Sequence, residues 1–496
     1  MVYCVLIACL EPFANGWVSG SSNVPGTVTH VCEHGMAHVA SKGLPDCLPM
    51  TTALWGFAVS SFCVGGLISA LFGGNLQEKL GRRLTIIVNN FGFIIGSLLC
   101  CVAVHQAMFI IGRILCGISC GLGSLVVPTY IGEVSTIKGR GTMGTCNQFL
   151  IVIGLLLASA IGLPLAKVPL WRINYAITAF PAIAQVFLMA TCAESPRWLV
   201  SKSRFEEARA TLQKLRGNCN IEQEFYDMVE GIHGAEVAGT VSNGHSRREG
   251  MDMIDSKEGA EINDTTDVEL KAAGEDVADK ENMSMLQVMK DPVMRRIGFT
   301  VFVHHIIQQL SGMNAVMYYS TNIFLLAFNN SQSMAQLMAI ITTIVNFVAT
   351  IVTVIVIDRF GRRPLLLIAE AGTCIFSVLL VIGYKVNSPG LLIASVFLYV
   401  ASFALGIGPI PWMITSEMTP THAASAVGAA STCINWCMNF VIGQIFPVIF
   451  AAIEGWSFLI FAVICLLSFL FTFFFLPETK GRSIESIARG YEKYRK

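Results

Sequence analysis

Twelve apolar stretches dominate this sequence, at roughly 1–21, 52–73, 84–104, 108–131, 142–164, 173–193, 297–320, 335–357, 365–386, 391–415, 424–447 and 456–476. A hydrocarbon layer ~30 Å thick takes about 20 residues of α-helix to cross. Inside that layer every backbone N–H and C=O must be paired within its own segment, which leaves helices as the form such runs can take. The expected class is therefore an all-α membrane protein with twelve transmembrane helices. Composition agrees: 54% of residues are hydrophobic and 13% charged, against about a quarter charged in soluble domains. The formal net charge is zero, so nothing points to nucleic acid. The first run is short enough to pass for a secretory signal, but it lacks a basic leading region and is expected to be a retained helix.

Charge sets the expected orientation. With both termini cytoplasmic, the short inner loops hold Lys79, Arg82, Arg83, Lys138, Arg140, Arg359, Arg362 and Arg363, against Lys42, Lys167, Arg172 and Lys385 in the outer ones. Eight against four favours that orientation. Most of the sixteen cysteines lie in apolar runs, where a thiol acts as a small hydrophobe. Cys32 and Cys47 instead share one polar outer loop and are candidates for a disulfide, which spacing alone leaves open.

An internal repeat organises the spans. "EKLGRR" at 78–83 returns as "DRFGRR" at 358–363, Glu133 of "GEVS" as Glu417 of "SEMT", and Glu194 of "AESPRWL" as Glu478 of "PETKGRS". Three pairs at nearly one offset mean a duplicated six-helix unit. An even number of spans per unit gives two parallel repeats related by an axis along the membrane normal, with a site between them. The expected layout is a first bundle at 1–198, a cytoplasmic linker at 199–295, a second bundle at 296–480 and a cytoplasmic tail at 481–496. Within the linker, 236–282 is acidic and poor in apolar residues, and reads as a disordered insertion. Sequons at Asn263 and Asn282 fall on the inner side; Asn329 is the one that faces outward.

Polar groups inside hydrocarbon are costly and usually face a cavity or another helix. Span seven carries Gln308, Gln309, Asn314, Tyr318 and Tyr319. At 100° per residue Asn314 lies about 240° round from Gln308, so a straight helix cannot aim both at one ligand. Ser311 and Gly312 between them offer a break. Span ten repeats the pattern in "GIGPIPW", where Gly408, Pro409 and Pro411 interrupt the helix near Trp412 and suit a gate. His304 and His305 are adjacent and point about 100° apart on a helix, a poor joint metal site. Neither a nucleotide-binding loop nor HExxH is present, so an enzyme is not expected, and no cofactor or metal.

The ordered set "GRILCGISCGLGSLVVPTYIGEVS", "RGTMGTCNQ", "ESPRWL", "QQLSGMNAVMYYST", "GIGPIPW", "NWCMNF" and "PETKGRS" resembles the sugar porters of the major facilitator superfamily, in particular the facilitative glucose transporters. The resemblance implies a hexose site at Gln148, Gln308, Gln309, Asn314, Asn346, Trp412 and Asn439, with Tyr318, Tyr319, Gly408, Pro409 and Pro411 in gating. Uncharged amides suit such a ligand, because each sugar hydroxyl both donates and accepts. It also implies interhelical charge networks that form when the inner side closes and break when it opens. These comprise Arg82, Arg83, Glu133, Arg140, Glu194 and Arg197 in one half, and Asp358, Arg362, Arg363, Glu417, Glu478 and Arg482 in the other.

Some positions depart from that family. Ala404 stands where the glucose transporters carry a glutamate, Met317 where they carry a phenylalanine, and Ala424 where a basic residue is expected, with His422 nearby. Three functions follow as expectations: a facilitative hexose carrier, a proton-coupled sugar symporter, and a non-transporting sugar sensor. The family's symporters hold an aspartate on the first span where this chain has Val18, which cannot hold a proton. Glu11, two helical turns earlier and on the same face, is the one displaced candidate for a proton site; the plainer alternative has it hydrogen-bonded beside Pro12. The partners expected are a hexose and the bilayer, in a monomeric carrier of the plasma membrane.

Overall fold

The structure is a computed structural model that describes residues 1–32, 44–136, 139–234, 236–241, 283–325, 327–328, 331–480, 482, 487 and 490–491. In the first half, span one is Val2–Ala8 with Leu10–Gly20, span two Thr52–Leu80, span three Arg82–Cys101, span four Gln106–Val134, span five Arg140–Leu165, and span six Trp171–Ala176 with Ala179–Met189. In the second, span seven is Pro292–Leu310 with Met313–Leu325, span eight Gln332–Phe360, span nine Arg362–Lys385, span ten Pro389–Leu405 with Ile410–Met418, span eleven Thr421–Ile453 and span twelve Ser457–Phe475. The twelve apolar windows are thus twelve helical spans. By length and apolarity alone, nine helices among the described residues can cross a bilayer, one of which, Ala426–Phe475, takes in spans eleven and twelve. Spans six and seven miss that measure: span six is cut at Ile177–Thr178, and the 19-residue first piece of span seven carries Arg295, Arg296, His304, His305, Gln308 and Gln309, which lower its apolarity.

Large apolar side chains stand on the outside of the bundle: Phe180, Phe187, Phe474 and Phe72 are 78%, 72%, 72% and 66% exposed. They form the surface that lipid covers. Between helices the contacts rest on small residues, because lipid tails supply no hydrophobic drive for helix association and close approach must do so. A side chain at Gly117 of span four would meet the Phe62 carbonyl of span two at 1.8 Å, and one at Gly16 of span one the Ile151 carbonyl of span five at 1.9 Å.

The halves meet along spans two and eleven and along spans five and eight. Toward the end that carries the Cys32–Cys47 loop, the joint is dense. Phe62 of span two packs edge-on against Tyr318 and Trp436, at 6.0 and 5.9 Å between ring centres, and Phe57 against Phe440 at 6.1 Å. Asn23 donates to the Ser320 hydroxyl at 2.7 Å and accepts from the Thr321 amide and hydroxyl at 3.3 and 3.2 Å. Cys32 and Cys47 are disulfide-bonded, 5.9 Å apart at Cα. Their loop is tied down by Trp171 Nε1 on the Asp46 carbonyl and Arg172 on the Pro45 carbonyl.

After span six, helices Pro196–Ser201, Phe205–Arg216 and Glu222–His233 build a small core around Leu212, Phe225 and Val229. Residues 236–241 continue it as helix, with Val237 and Ala238 buried. This corrects the start of the expected disordered insertion: Val237, Ala238 and Val241 form one apolar helical face, enough to join the linker core. The remainder of the insertion, 242–282, with Asn263 and Asn282, and Asn329, the sequon expected to face outward, lie outside the described residues.

Candidate functional site

A cavity of about 500 Å³ lies between the halves. Span one contributes Ser19, span five Thr145 and Gln148, span seven Met313, Asn314, Met317 and Tyr318, span eight Asn346, Thr350 and Thr353, and span ten Ala404, Gly408 and Pro409. Ser19 and Tyr318 lie toward the closed end, just below the Asn23 contacts. From there the cavity runs along span eight to Ile357 and Arg362 at the Arg-rich end.

The break in span seven is what brings its amides together. Gly312 has φ +95°, a left-handed conformation that costs L-residues roughly 1–2 kcal/mol. Tyr399 of span ten donates to the Ser311 carbonyl freed by the break, at 2.6 Å. Across the gap Asn314 donates to Gln309 Oε1. Gln309 donates to Asn435 Oδ1 at 2.9 Å, and Asn435 donates in turn to Gln308 Oε1 at 2.6 Å. Gln308 closes the chain on the Gly408 carbonyl in the break of span ten. His305 extends it, bonded to Asn435 through Nδ1 and to Thr415 through Nε2. The two broken helices are thereby joined directly, by Gln308 to Gly408 and His305 to Thr415, while Asn435 of span eleven braces the span-seven side of the junction.

The residues expected to bind a hexose fall into two groups. Gln148, Asn314 and Asn346 line the cavity, as do Tyr318, Gly408 and Pro409. Gln308, Gln309 and Asn439 are buried behind that wall, with exposures of 5%, 7% and 8%. Asn439 accepts from the Tyr318 hydroxyl at 2.9 Å, and Tyr319 donates to the Gly443 carbonyl at 3.0 Å. Trp412 stands outside the cavity wall, edge-on to His305 at 4.7 Å. Pro411 is buried in the first turn of Ile410–Met418. Asn435 was not among the expected residues, although "NWCMNF" contains it, and it joins both glutamines.

Arg113 of span four is also new, and its signal was a cation inside an apolar run. It is 1% exposed, donates to the main-chain carbonyls of Val18 and Val59 at 2.8 and 2.9 Å, and lies 5.0 Å over the Phe62 ring. Glu11 faces the same helix: its carboxyl lies where a side chain on Gly123 would be. Gly123 is ten residues from Arg113, about 15 Å along the helix, so Glu11 and Arg113 occupy separate levels. Glu11 is 1% exposed, and its Oε1 has no hydrogen-bond partner among the described residues. Pro12 stands in the first turn of Leu10–Gly20, and the break falls at Cys9, next to the Ala8 carbonyl to which Pro12, having no N–H, cannot donate.

At the Arg-rich end the repeat recurs residue for residue. Arg82 pairs with Glu133 at 2.9 Å, and Arg362 with Glu417 at 2.9 Å. Glu194 accepts from the Arg82 and Arg83 amides at 3.0 and 3.1 Å, as Glu478 does from those of Arg362 and Arg363. Ser195 caps Glu133 as Thr479 caps Glu417. Burial pushes the Glu194 carboxyl above the usual carboxylate range, against amide hydrogen bonds that pull the other way. Arg197 and Arg482 are exposed, and the side chains of Arg140 and Asp358 are outside what the structure describes. The pairs Arg82–Glu133 and Arg362–Glu417 each join helices of one half, and the cavity reaches Arg362.

Three comparisons bear on this arrangement. The family model of the sugar (and other) transporters matches residues 4–246 and 240–491. Facilitated glucose transporter member 3 of Oryctolagus cuniculus is 33% identical, over 99% of this chain and 92% of that one. Member 4 of Homo sapiens is 34% identical, over 99% and 91%. Among solved structures, a double-tryptophan mutant of XylE superposes with a TM-score of 0.72 at 25% identity, covering 98% of each chain. The partially occluded inward-open form of the xylose transporter XylE from E. coli gives 0.71 at 24%, covering 97% and 99%. With twelve spans in two like halves, a cavity between them and a family match running from residue 4 to residue 491, this chain belongs to the sugar transporter family of the major facilitator superfamily.

Proposed function

We propose that this chain is a facilitative carrier of a glucose-like hexose, working by alternating access. The observation that carries the reading is the cavity itself, built from both halves, lined by the amides Gln148, Asn314 and Asn346, and closed at one end by cross-half contacts. Uncharged amides exchange hydrogen bonds with a sugar about as water does, so binding stays weak enough for release. The names of the mammalian relatives, facilitated glucose transporters, support the same substrate. Passive transport is supported by Arg113, whose two guanidinium contacts go to main-chain carbonyls, one of them that of Val18. A membrane site with both termini cytoplasmic, a plasma-membrane location and a monomeric carrier complete the proposal; the disulfide in the opposite loop fits an oxidising exterior.

Proton-coupled symport is the second reading, favoured by one observation: the buried Glu11 carboxyl with an unpartnered oxygen. Purified protein in sealed vesicles decides between them. With labelled glucose alone, uptake should stop at equal concentrations on the two sides, and an imposed proton gradient should leave that end point unchanged. Accumulation above the external concentration would overturn uniport, and its loss in Glu11→Gln would assign the proton to that carboxyl.

A further inference from the structure

Span seven carries two imidazoles back to back. His305 belongs to the amide network facing the cavity; His304, 1% exposed, points away from it, toward spans nine and twelve. Its Nδ1 bonds the Thr300 carbonyl at 2.7 Å and its Nε2 the Thr472 hydroxyl at 3.2 Å. The same hydroxyl meets Glu370 Oε1 at 2.8 Å, and Ser468 meets that oxygen too. Glu370 lies in the middle of span nine, is 0% exposed, and its Oε2 has no hydrogen-bond partner among the described residues. Among the described residues, the other titratable groups around the cluster are Cys374 on the same helix, Cys465 on span twelve, Tyr399 on span ten, His305 next to His304, and Tyr491, whose hydroxyl reaches Thr300.

Counting protons along this chain fixes what it can hold. A carbonyl can only accept, so His304 Nδ1 carries a hydrogen. Thr472 has one hydrogen to share between Nε2 and Glu370. If imidazole and carboxylate were both unprotonated, one of these two acceptors would face an oxygen with no hydrogen between them. Adding one proton resolves the conflict in two equivalent ways. Either Glu370 is a carboxylic acid donating to Thr472, whose own hydrogen goes to Nε2, or His304 is an imidazolium donating to Thr472, whose hydrogen goes to the carboxylate. The two forms differ by a shift of two hydrogens along the chain and contain the same number. The bare, buried Oε2 selects the first, since an unpaired oxygen on an ionised carboxylate in an apolar interior is far more costly than on a neutral acid.

We propose that Glu370, Thr472 and His304 form a proton-binding site in the second half of the molecule, and that the proton held there makes the cavity-facing network on span seven responsive to pH. Loss of the proton leaves a negative charge and a mismatched hydrogen bond against the piece of span seven that presents Gln308 and Gln309. Because His304 and His305 are adjacent on one rigid turn, a shift of one moves the other and the Asn435 bonds with it. The second clause rests on the transport reading; the first does not.

Infrared difference spectra of the purified full chain in lipid nanodiscs test the site directly. Wild type minus Glu370→Gln should show the carbonyl stretch of a protonated carboxylic acid at neutral pH, and this band should persist in a Glu11→Gln background. Absence of the band at neutral pH would overturn the site. Should Glu370→Gln not fold, Thr472→Val, which removes the hydroxyl between acid and imidazole, should move the band; an unmoved band would equally overturn it. In vesicles, labelled-sugar exchange by wild type should change with pH through a step that Glu370→Gln abolishes. Identical pH profiles would sink the link to the sugar-facing network while the infrared result stood, and a wild type that moves no sugar would remove the transport reading and leave the proton site to the spectra.

Discussion

The amides of the cavity wall have separable roles that single substitutions can read. Gln148 and Asn314 reach the cavity from opposite halves, and a neutral hydrogen bond is worth about 0.5–1.5 kcal/mol net. Gln148→Ala is expected to weaken apparent glucose affinity by about 3- to 10-fold, read by equilibrium exchange. Asn314→Ala should do more, because it also takes a partner from Gln309. Val18→Asp makes a second test: a carboxylate there would stand beside Arg113, and the variant is expected to gain sugar accumulation under an imposed proton gradient that wild type lacks. If accumulation stays absent, position 18 does not decide coupling. The density of amides on span seven was legible in the sequence, as was the need for a break to align them. Arg113 and Glu370 carried the same kind of signal, one charge in an apolar run. What the sequence withholds is which helix each charge meets. Nothing in span four announces that Arg113 ends on the carbonyls of spans one and two, and nothing in span nine that Glu370 meets a hydroxyl from span twelve.

At the scale of the helix, the breaks matter more than the helices. Span seven turns at Gly312, where a side chain would suffer both the +95° φ and a contact of 2.5 Å with the Phe461 ring. Gly312→Ala is therefore expected to cost roughly 1–2 kcal/mol from the backbone alone, seen as a lower thermal midpoint in detergent, together with slower exchange as Asn314 leaves Gln309. Gly428→Ala is the control: its position in span eleven opens onto free space, and the change should leave the midpoint level or raise it slightly. Equal losses in both would show that the break has no special place. Periodicity and length made all twelve spans readable, and Gly and Pro marked the breaks in spans seven and ten. The turn at Cys9 and the cut in span six were marked too, by Pro12 and Pro181, which cannot donate to the carbonyls four residues earlier, those of Ala8 and Ile177. The helix at 236–241 had no such marker: its three apolar residues, in an acidic context, gain their partners only from the linker core.

For the whole molecule, closure at the disulfide end and integrity at the Arg-rich end are separate matters. The duplicated motifs were legible as a repeat, and the resemblance suggested that their ion pairs act as a switch between states. We propose a different division of labour. Arg82–Glu133 and Arg362–Glu417 hold each half together, whereas Asn23, joined to Ser320 and Thr321, holds the two halves to each other. Arg82→Ala should then lower thermal stability without changing which side is open. Asn23→Ala removes three cross-half hydrogen bonds at about 0.5–1.5 kcal/mol each, and a few kcal/mol is the scale on which carrier states are balanced. It is expected to shift the population toward the outward-open form by roughly tenfold or more. Distances between spin labels at the outer ends of spans two and eleven would report the shift as a longer-distance component, largest without sugar. A distribution like that of wild type in Asn23→Ala, with a shifted one in Arg82→Ala, would return the switch to the charged clusters.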